Sequence, residues 1–233
     1  MLDNSQHVKQ GKQVPEDPTM QIAIIGAGNV GRALAGSLTR AGHDVTVSAA
    51  HEEHAQDVAT QTGAKAAASN RDAVSGADLV VLAVPATAFD DLASELGGAL
   101  AGKVVVDVSN RPTPSTDGTS TSIAEELQDR LPGTLVVKAF NTALASRQAD
   151  PQVAGITPDG FVAGDDATAK QTVLDVVESI GFRPVDAGSL AAARTLEGMA
   201  WLNISRNIAG GTWQDAWILV GPEQNRAATE NRN

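Results

Sequence analysis

The stretch Gln21-Ile22-Ala23-Ile24-Ile25-Gly26-Ala27-Gly28-Asn29-Val30-Gly31 decides the fold. Ile22 to Ile25 form a short apolar β-run that ends at a glycine, and a helical pattern begins at once. The spacing is G-x-G-x-x-G, with a strand before it and a helix behind it. In that setting the motif binds a dinucleotide. Gly26 permits the tight turn out of the strand. Gly28 lacks a Cβ, so a pyrophosphate can come close to the backbone, and Gly31 lets the helix pack against the strand. Free N–H groups in the first helical turn and the positive end of its dipole then favour the phosphates.

Strands and helices alternate outward from this motif. Arg32 to Ala41 reads as a helix capped by Gly42, Val45 to Ser48 as a strand, and Glu52 to Gln61 as a second helix with acids in its first turn. A short strand near Lys65 to Ala67 and a short helix from Ser69 follow. Leu79 to Val84 is a continuous apolar run, as a strand covered on both faces requires, and Pro85 ends it. Ala88 to Leu100 reads as a helix, Val104 to Val108 as a strand, Ile123 to Leu131 as a helix and Leu135 to Phe140 as a strand. Phe161 to Gly164, Ala167 to Ile180 and Phe182 to Asp186 give strand, helix and strand. From Ser189 the pattern is helical to about Ala209, and a short helix is expected to carry Trp213 and Trp217 on one face. That pair reads as packing in the core or at a dimer interface, with stacking on a tricyclic ring as the alternative. The alternation predicts an α/β fold: a doubly wound, mostly parallel Rossmann-type sheet with a small C-terminal helical segment. The nucleotide-binding domain is expected over 20–221, with its C-terminal helices from about 189. A polar leader over 1–19 precedes it, with Met20 as a candidate natural start, and a polar tail over 222–233 follows. The hydroxyl-rich loop from Ser109 to Thr119 leaves the carboxyl end of a strand and is a candidate cover for a cofactor.

Composition narrows the chemistry. The 233 residues carry a net charge of −11, which argues against nucleic acid or an anionic membrane as partner. An anionic cofactor must therefore be held by local geometry. There is no cysteine and no tyrosine, so thiolate metal sites, thiol nucleophiles and a tyrosine–lysine acid pair are all excluded. No apolar run approaches the ~18 residues a spanning helix needs, and the leader has no apolar core, so a cytoplasmic enzyme is expected. His7 falls in the leader, while His43, His51 and His54 cluster near the second strand, away from the expected nicotinamide end. No metal site and no protein acid or base is expected. Lys138, inside a strand, reads as a surface or supporting charge.

An NAD enzyme places Asp or Glu at the end of its second strand to bind the ribose 2′-hydroxyl. Here that end is Ser48-Ala49-Ala50-His51. A neutral serine accommodates a 2′-phosphate, His51 lies close enough to reach it, and Glu52 and Glu53 read as solvent-facing helix-start charges. The pattern leans towards NADP.

Three further stretches complete the site. Lys138-Ala139-Phe140-Asn141-Thr142 leaves a strand, Gly164-Asp165-Asp166 precedes a helix, and Asp186-Ala187-Gly188-Ser189-Leu190 opens the last long one. With the glycine loop and Ala83-Val84-Pro85, this ordered set resembles the NADP oxidoreductases that use the deazaflavin coenzyme F420, and it is similar to the nucleotide domains of the STEAP metalloreductases. The resemblance runs from about Gln21 to Gly221. It implies NADP(H) along the carboxyl edge of the sheet, with Gly26, Gly28, Asn29 and Val30 at the pyrophosphate. Ala83 to Pro85 would border the adenosine and ribose, and Asn141 and Thr142 would lie near the nicotinamide, beside a deazaflavin. It also implies a homodimer. Family members often hold the 2′-phosphate with serine and arginine where this chain has Ala49 and Ala50, and some carry histidine in place of Asn141.

The expected activity is hydride transfer between NADP(H) and coenzyme F420, or a flavin-like acceptor such as FMN or FAD. Such a transfer needs ring alignment and no protein acid or base. The alternatives are a small carbonyl or imine reductase, whose families carry a larger helical domain than the roughly 45 residues after the last strand allow, and a nucleotide-binding regulatory module without turnover.

Overall fold

Alternation along the first strand sets the architecture. In β1 (Gln21–Ile25), Ile22 and Ile24 face one side of the sheet and Ala23 and Ile25 the other, and all four are buried. The computed structural model describes residues 19–111 and 121–221. The expected leader up to residue 18, residues 112–120 of the hydroxyl-rich loop and the tail over 222–233 lie outside them.

The sheet has eight strands in the order β3-β2-β1-β4-β5-β6-β7-β8. Beyond β1 these are β2 (Asp44–Ser48), β3 (Lys65–Ala66), β4 (Leu79–Leu82), β5 (Val104–Asp107), β6 (Leu135–Lys138), β7 (Asp159–Gly164) and β8 (Arg183–Gly188). β1 to β6 are parallel, β7 runs antiparallel to β6, and β8 is parallel to β7. On one face lie α1 (Asn29–Arg40), α2 (Glu52–Thr62) and α7 (Ala167–Ser179), packed on Ile22, Ile24, Val47, Val81 and Val106. On the other lie α3 (Asn70–Val74), α4 (Phe89–Leu100) and α5 (Ile123–Arg130), packed on Ala23, Ile25, Val80, Leu82 and Val105. The doubly wound sheet is as expected, and its order reverses between β1 and β4, the point at which ligands bind in open sheets.

The C-terminal segment departs from expectation. A 3-10 turn (Leu190–Ala192) leads into α8 (Ala193–Ile208), which packs Leu196 against Phe161 and Ala163 of β7. No second helix follows among the described residues. Gly210, at φ +118, breaks the chain direction, and the Asn207 side chain takes the Trp213 N–H, so residues 212–221 run as an extended strap. Trp217 packs with Leu196 and Phe161, whereas Trp213 joins none of the apolar cores, so the two rings do not share a face. A short helix, α6 (Ala145–Ala149), was not legible in the sequence pattern.

α8 is tied to the sheet by buried charge. Lys138 is fully buried, and its Nζ donates to Asp107 Oδ2 at 2.8 Å, to the Ser109 carbonyl at 2.6 Å and to Glu197 Oε1 of α8 at 3.1 Å. Glu197 Oε1 also accepts the Ile123 N–H at 2.8 Å. Lys138 is thus neither a surface charge nor a free proton donor, because its three donors are all engaged. Burial pushes the Glu197 carboxyl above its ordinary value, against the pull of Lys138. A second tether is exposed: Arg194 of α8 forks onto Glu125, which also caps α5 through Ser122 and is held down to about 2.

Two tests follow from these contacts. A Cβ on Gly31 would overlap the Gly26 carbonyl, whereas one on Gly28 meets nothing within 4 Å. Gly31→Ala should therefore lower unfolding free energy by about 1–3 kcal/mol and Gly28→Ala by less than about 0.5 kcal/mol, as read by urea denaturation; equal effects would contradict the packing. The second test concerns Glu197. Its folded pKa is raised, so from about 4.5 upward the folded state holds a proton that the unfolded chain has lost. The stability of the wild type relative to Glu197→Gln should accordingly fall as pH rises from 4.5 through the raised value. A difference that stays flat or rises with pH would remove the burial cost from Glu197.

Candidate active site

The expected site residues cluster at the carboxyl ends of the parallel strands, in the last strand residue, the loops that leave it or the helical turn that follows. At the end of β1, Gly26 adopts φ +117, donates its N–H to the Ser48 carbonyl at 2.9 Å, and has the Ala83 carbonyl where a Cβ would stand. Ala83 in turn donates to the Ile25 carbonyl at 2.8 Å. The ends of β2, β1 and β4 are thereby locked together at the reversal point. Gly28 is the exposed N-cap of α1, and no side chain caps that helix. Its first-turn N–H groups, from Gly28 to Gly31, lack the partners that a capping side chain would supply, and the space above Gly28 is open. This is a geometric fit for a pyrophosphate.

At the end of β2, Ser48 is fully buried and its hydroxyl donates to Asn70 Oδ1 at 2.8 Å. Asn70 donates onward to Glu95 Oε2 at 3.0 Å. The serine hydroxyl is therefore committed inward, against the expectation that it faces a phosphate. Ala49 is half-buried, and His51 is the exposed N-cap of α2, edge-to-face with His54 at 5.5 Å. Glu52 and Glu53 are exposed in the first turn, as expected. At the end of β4, Ala83 and Val84 are half-buried and Pro85 is exposed.

The second half of the site is a cleft of about 440 Å³, within the size range of small-molecule sites. It brings Asn29 and Val30 of α1 together with Asn110, Asn141, Thr142, the start of α6, Ala200 and Ile204 of α8, and Trp213. None of the described residues that line it is ionisable. Phe140 turns the chain at φ +61, and Gln148 of α6 donates to the Phe140 and Ala143 carbonyls, each at 3.0 Å, fixing that turn. Asn141 and Asn110 are paired reciprocally: Asn141 Nδ2 donates to Asn110 Oδ1 at 2.9 Å, and Asn110 Nδ2 donates to the Asn141 carbonyl at 3.0 Å. The Asn141 Oδ1 remains a buried acceptor with no partner among the described residues.

Of the expected site residues, Asn29, Val30, Asn141 and Thr142 therefore converge on one cleft. Ser48, Ala49, His51 and Ala83 to Pro85 lie outside it, on neighbouring loops of the same edge. Asn110 enters the cleft without having been singled out as a site residue, and Trp213, read first as a packing residue with ring stacking as the alternative, enters it too. Asn110 follows a strand end by three residues, a position that could have marked it. Among the described residues no cluster of His, Asp or Glu is arranged to hold a metal, and no helix is long and apolar enough to cross a membrane.

Residues 21–111 match the family described as NADP oxidoreductase, coenzyme F420-dependent. The F420-dependent NADP reductase of Methanothermobacter marburgensis is 31% identical over 213 residues, spanning 81% of this chain and 93% of that protein. Metalloreductase STEAP3 of Rattus norvegicus is 33% identical over 190 residues, which is 79% of this chain and only 37% of the relative's length. A crystal structure from Arthrobacter sp. FB24, named for an F420-dependent NADP-reductase, superposes with a TM-score of 0.75 at 31% identity, covering 86% of this chain and all of that one. The glycine loop, the uncharged cleft and this near full-length likeness converge: the chain belongs to the coenzyme F420-dependent NADP oxidoreductase family.

Proposed function

We propose that this chain binds NADP(H) along the carboxyl edge of its sheet and passes a hydride between the nicotinamide and a deazaflavin, coenzyme F420, or a flavin-like ring such as FMN or FAD. The observation that carries this reading is the cleft. It adjoins the uncapped start of α1, holds a buried amide acceptor on Asn141, and has no ionisable lining residue among the described residues. Reducing a carbonyl or imine draws on a positioned proton donor. Hydride exchange between two aromatic rings asks for alignment, while the ring nitrogen that gains charge takes its proton from solvent.

In this reading the N–H groups of Gly28 to Gly31 hold the pyrophosphate, and Ala83 to Pro85 border the adenosine ribose. Asn141 Oδ1 accepts from the nicotinamide carboxamide and fixes which ring face meets the acceptor. His51, the exposed polar side chain at the end of β2, meets the 2′-phosphate. Leu202, Ile208, Leu219 and Val220 are exposed near the C-terminal end, which fits a homodimer.

Mixing the protein with NADPH and coenzyme F420 should bleach the deazaflavin absorbance catalytically, with NADPH consumed in equal amount. NADPH binding with no transfer to F420, FMN or FAD would make the chain a binding module. A second test addresses the 2′-phosphate. His51→Ala should cut the preference for NADPH over NADH about tenfold, the value of one hydrogen bond to a charged group. Dissociation constants for both nucleotides check this, and a preference untouched by the substitution would remove His51 from the site.

A further inference from the structure

Trp213 has no place in any apolar core, and its presence in the cleft calls for a reason. We propose that its indole is the wall on which the ring of the hydride acceptor stacks, so that this residue selects planar heteroaromatic acceptors over aliphatic ones. The inference rests on the functional reading above and adds to it a specificity-determining residue.

Three observations carry it. First, Trp213 is 46% exposed, although it lines the same cleft as Val30 and Asn141. The neighbouring Trp217, by contrast, packs against the cluster of Phe161 and Leu196. Second, the backbone that carries the ring is held in place. Trp213 adopts φ +58, a conformation rare for a bulky side chain. Its N–H donates to Asn207 Oδ1 of α8, and its carbonyl accepts the Ser146 hydroxyl of α6. The residues beside it are held too, by Arg147 onto Gln214 and by Asn207 Nδ2 onto Asp215. Farther along, Asp159 accepts the Leu219 N–H and pairs with Arg183, pinning the end of the strap to β7 and β8. Strain that is over-determined by its surroundings marks functional positions more often than loose ones. Third, the described residues of the cleft give an acceptor no charge to recognise. Its means of recognition are shape, the Asn and Thr groups and an aromatic face, and a half-exposed tryptophan stacks on any planar ring.

The step served is balanced. A hydride leaves C4 of the dihydronicotinamide, which becomes the oxidised pyridinium, and adds to C5 of a deazaflavin or N5 of a flavin. The conjugated ring nitrogen N1 then takes a proton from water. Trp213 acts only by holding the acceptor ring.

Steady-state kinetics with NADPH and coenzyme F420, FMN or riboflavin on wild type, Trp213→Phe and Trp213→Ala test the proposal, with NADPH dissociation constants measured in the absence of acceptor. Trp213→Ala should raise the acceptor KM roughly tenfold or more, the worth of one ring stack. It should change kcat less and leave NADPH affinity within about twofold, and Trp213→Phe should recover most of the loss. If wild type turns over a ring acceptor and Trp213→Ala leaves its KM unchanged, the wall is refuted while the hydride-transfer reading stands. A loss of NADPH affinity in parallel with the KM change would make Trp213 merely structural. A shift from dimer to monomer by light scattering, with KM unchanged, would make it an interface residue. Wild-type transfer only to aliphatic carbonyls or imines, or to no acceptor at all, would overturn both readings.

Discussion

The whole arrangement depends on a backbone contact that admits no side chain. Where α1 leaves β1, the Gly26 carbonyl occupies the place a Cβ on Gly31 would take, and the Ala83 carbonyl occupies the place of one on Gly26. Three chain segments therefore meet at van der Waals distance beneath the point where the sheet order reverses. That closeness puts the uncapped start of α1 directly over the ends of β1 and β4. Its first-turn N–H groups carry no side-chain cap. For a chain of net charge −11, such oriented dipoles favour an anion locally although the wider field repels one.

A second constraint sets the far wall. Lys138 and its two carboxylates bind α8 to β5 and β6 in a dry interior. Such a cluster is weak evidence for added stability, because desolvating the three charges offsets most of their attraction. What it fixes is position. Removing the lysine would leave two buried carboxylates unbalanced, so the register of α8 against the sheet follows from the charge pairing. α8 then carries Asn203, which donates to the Thr142 carbonyl, and Asn207, which holds Trp213. The cleft is thus bounded on one side by glycines that allow contact and on the other by a helix that buried charge holds in place.

Much of this was legible in the sequence, for physical reasons that differ by residue. The glycine turn, the apolar runs of β4 and β5, and the residues at strand ends are local patterns, so Asn29, Val30, Asn141 and Thr142 could be placed on one edge before any coordinates. What the sequence hid depends on distant partners. Lys138 looks like a solvated strand charge because Asp107 and Glu197 stand 31 and 59 residues away. Ser48 looks available because its partner Asn70 belongs to the start of α3. The spacing of Trp213 and Trp217 imitates a helical face, and only Gly210 and the capping reach of Asn207 show that the helix has already ended. Residues 112–119 of the hydroxyl-rich loop lie outside the described residues, and its expected covering role falls on them.

The central claim is that a dinucleotide lies on the bare backbone at Gly28. This position has open space around it and an extended backbone that any residue can adopt, so a branched side chain there should spare the fold and strike only the ligand. Titration of NADPH into wild type and Gly28→Val, with urea denaturation of both as a control for folding, is the most direct measurement. The account predicts equal stability and loss of measurable NADPH binding in the variant. Near-native affinity in a folded Gly28→Val would contradict it, because the glycine loop would then be only a turn.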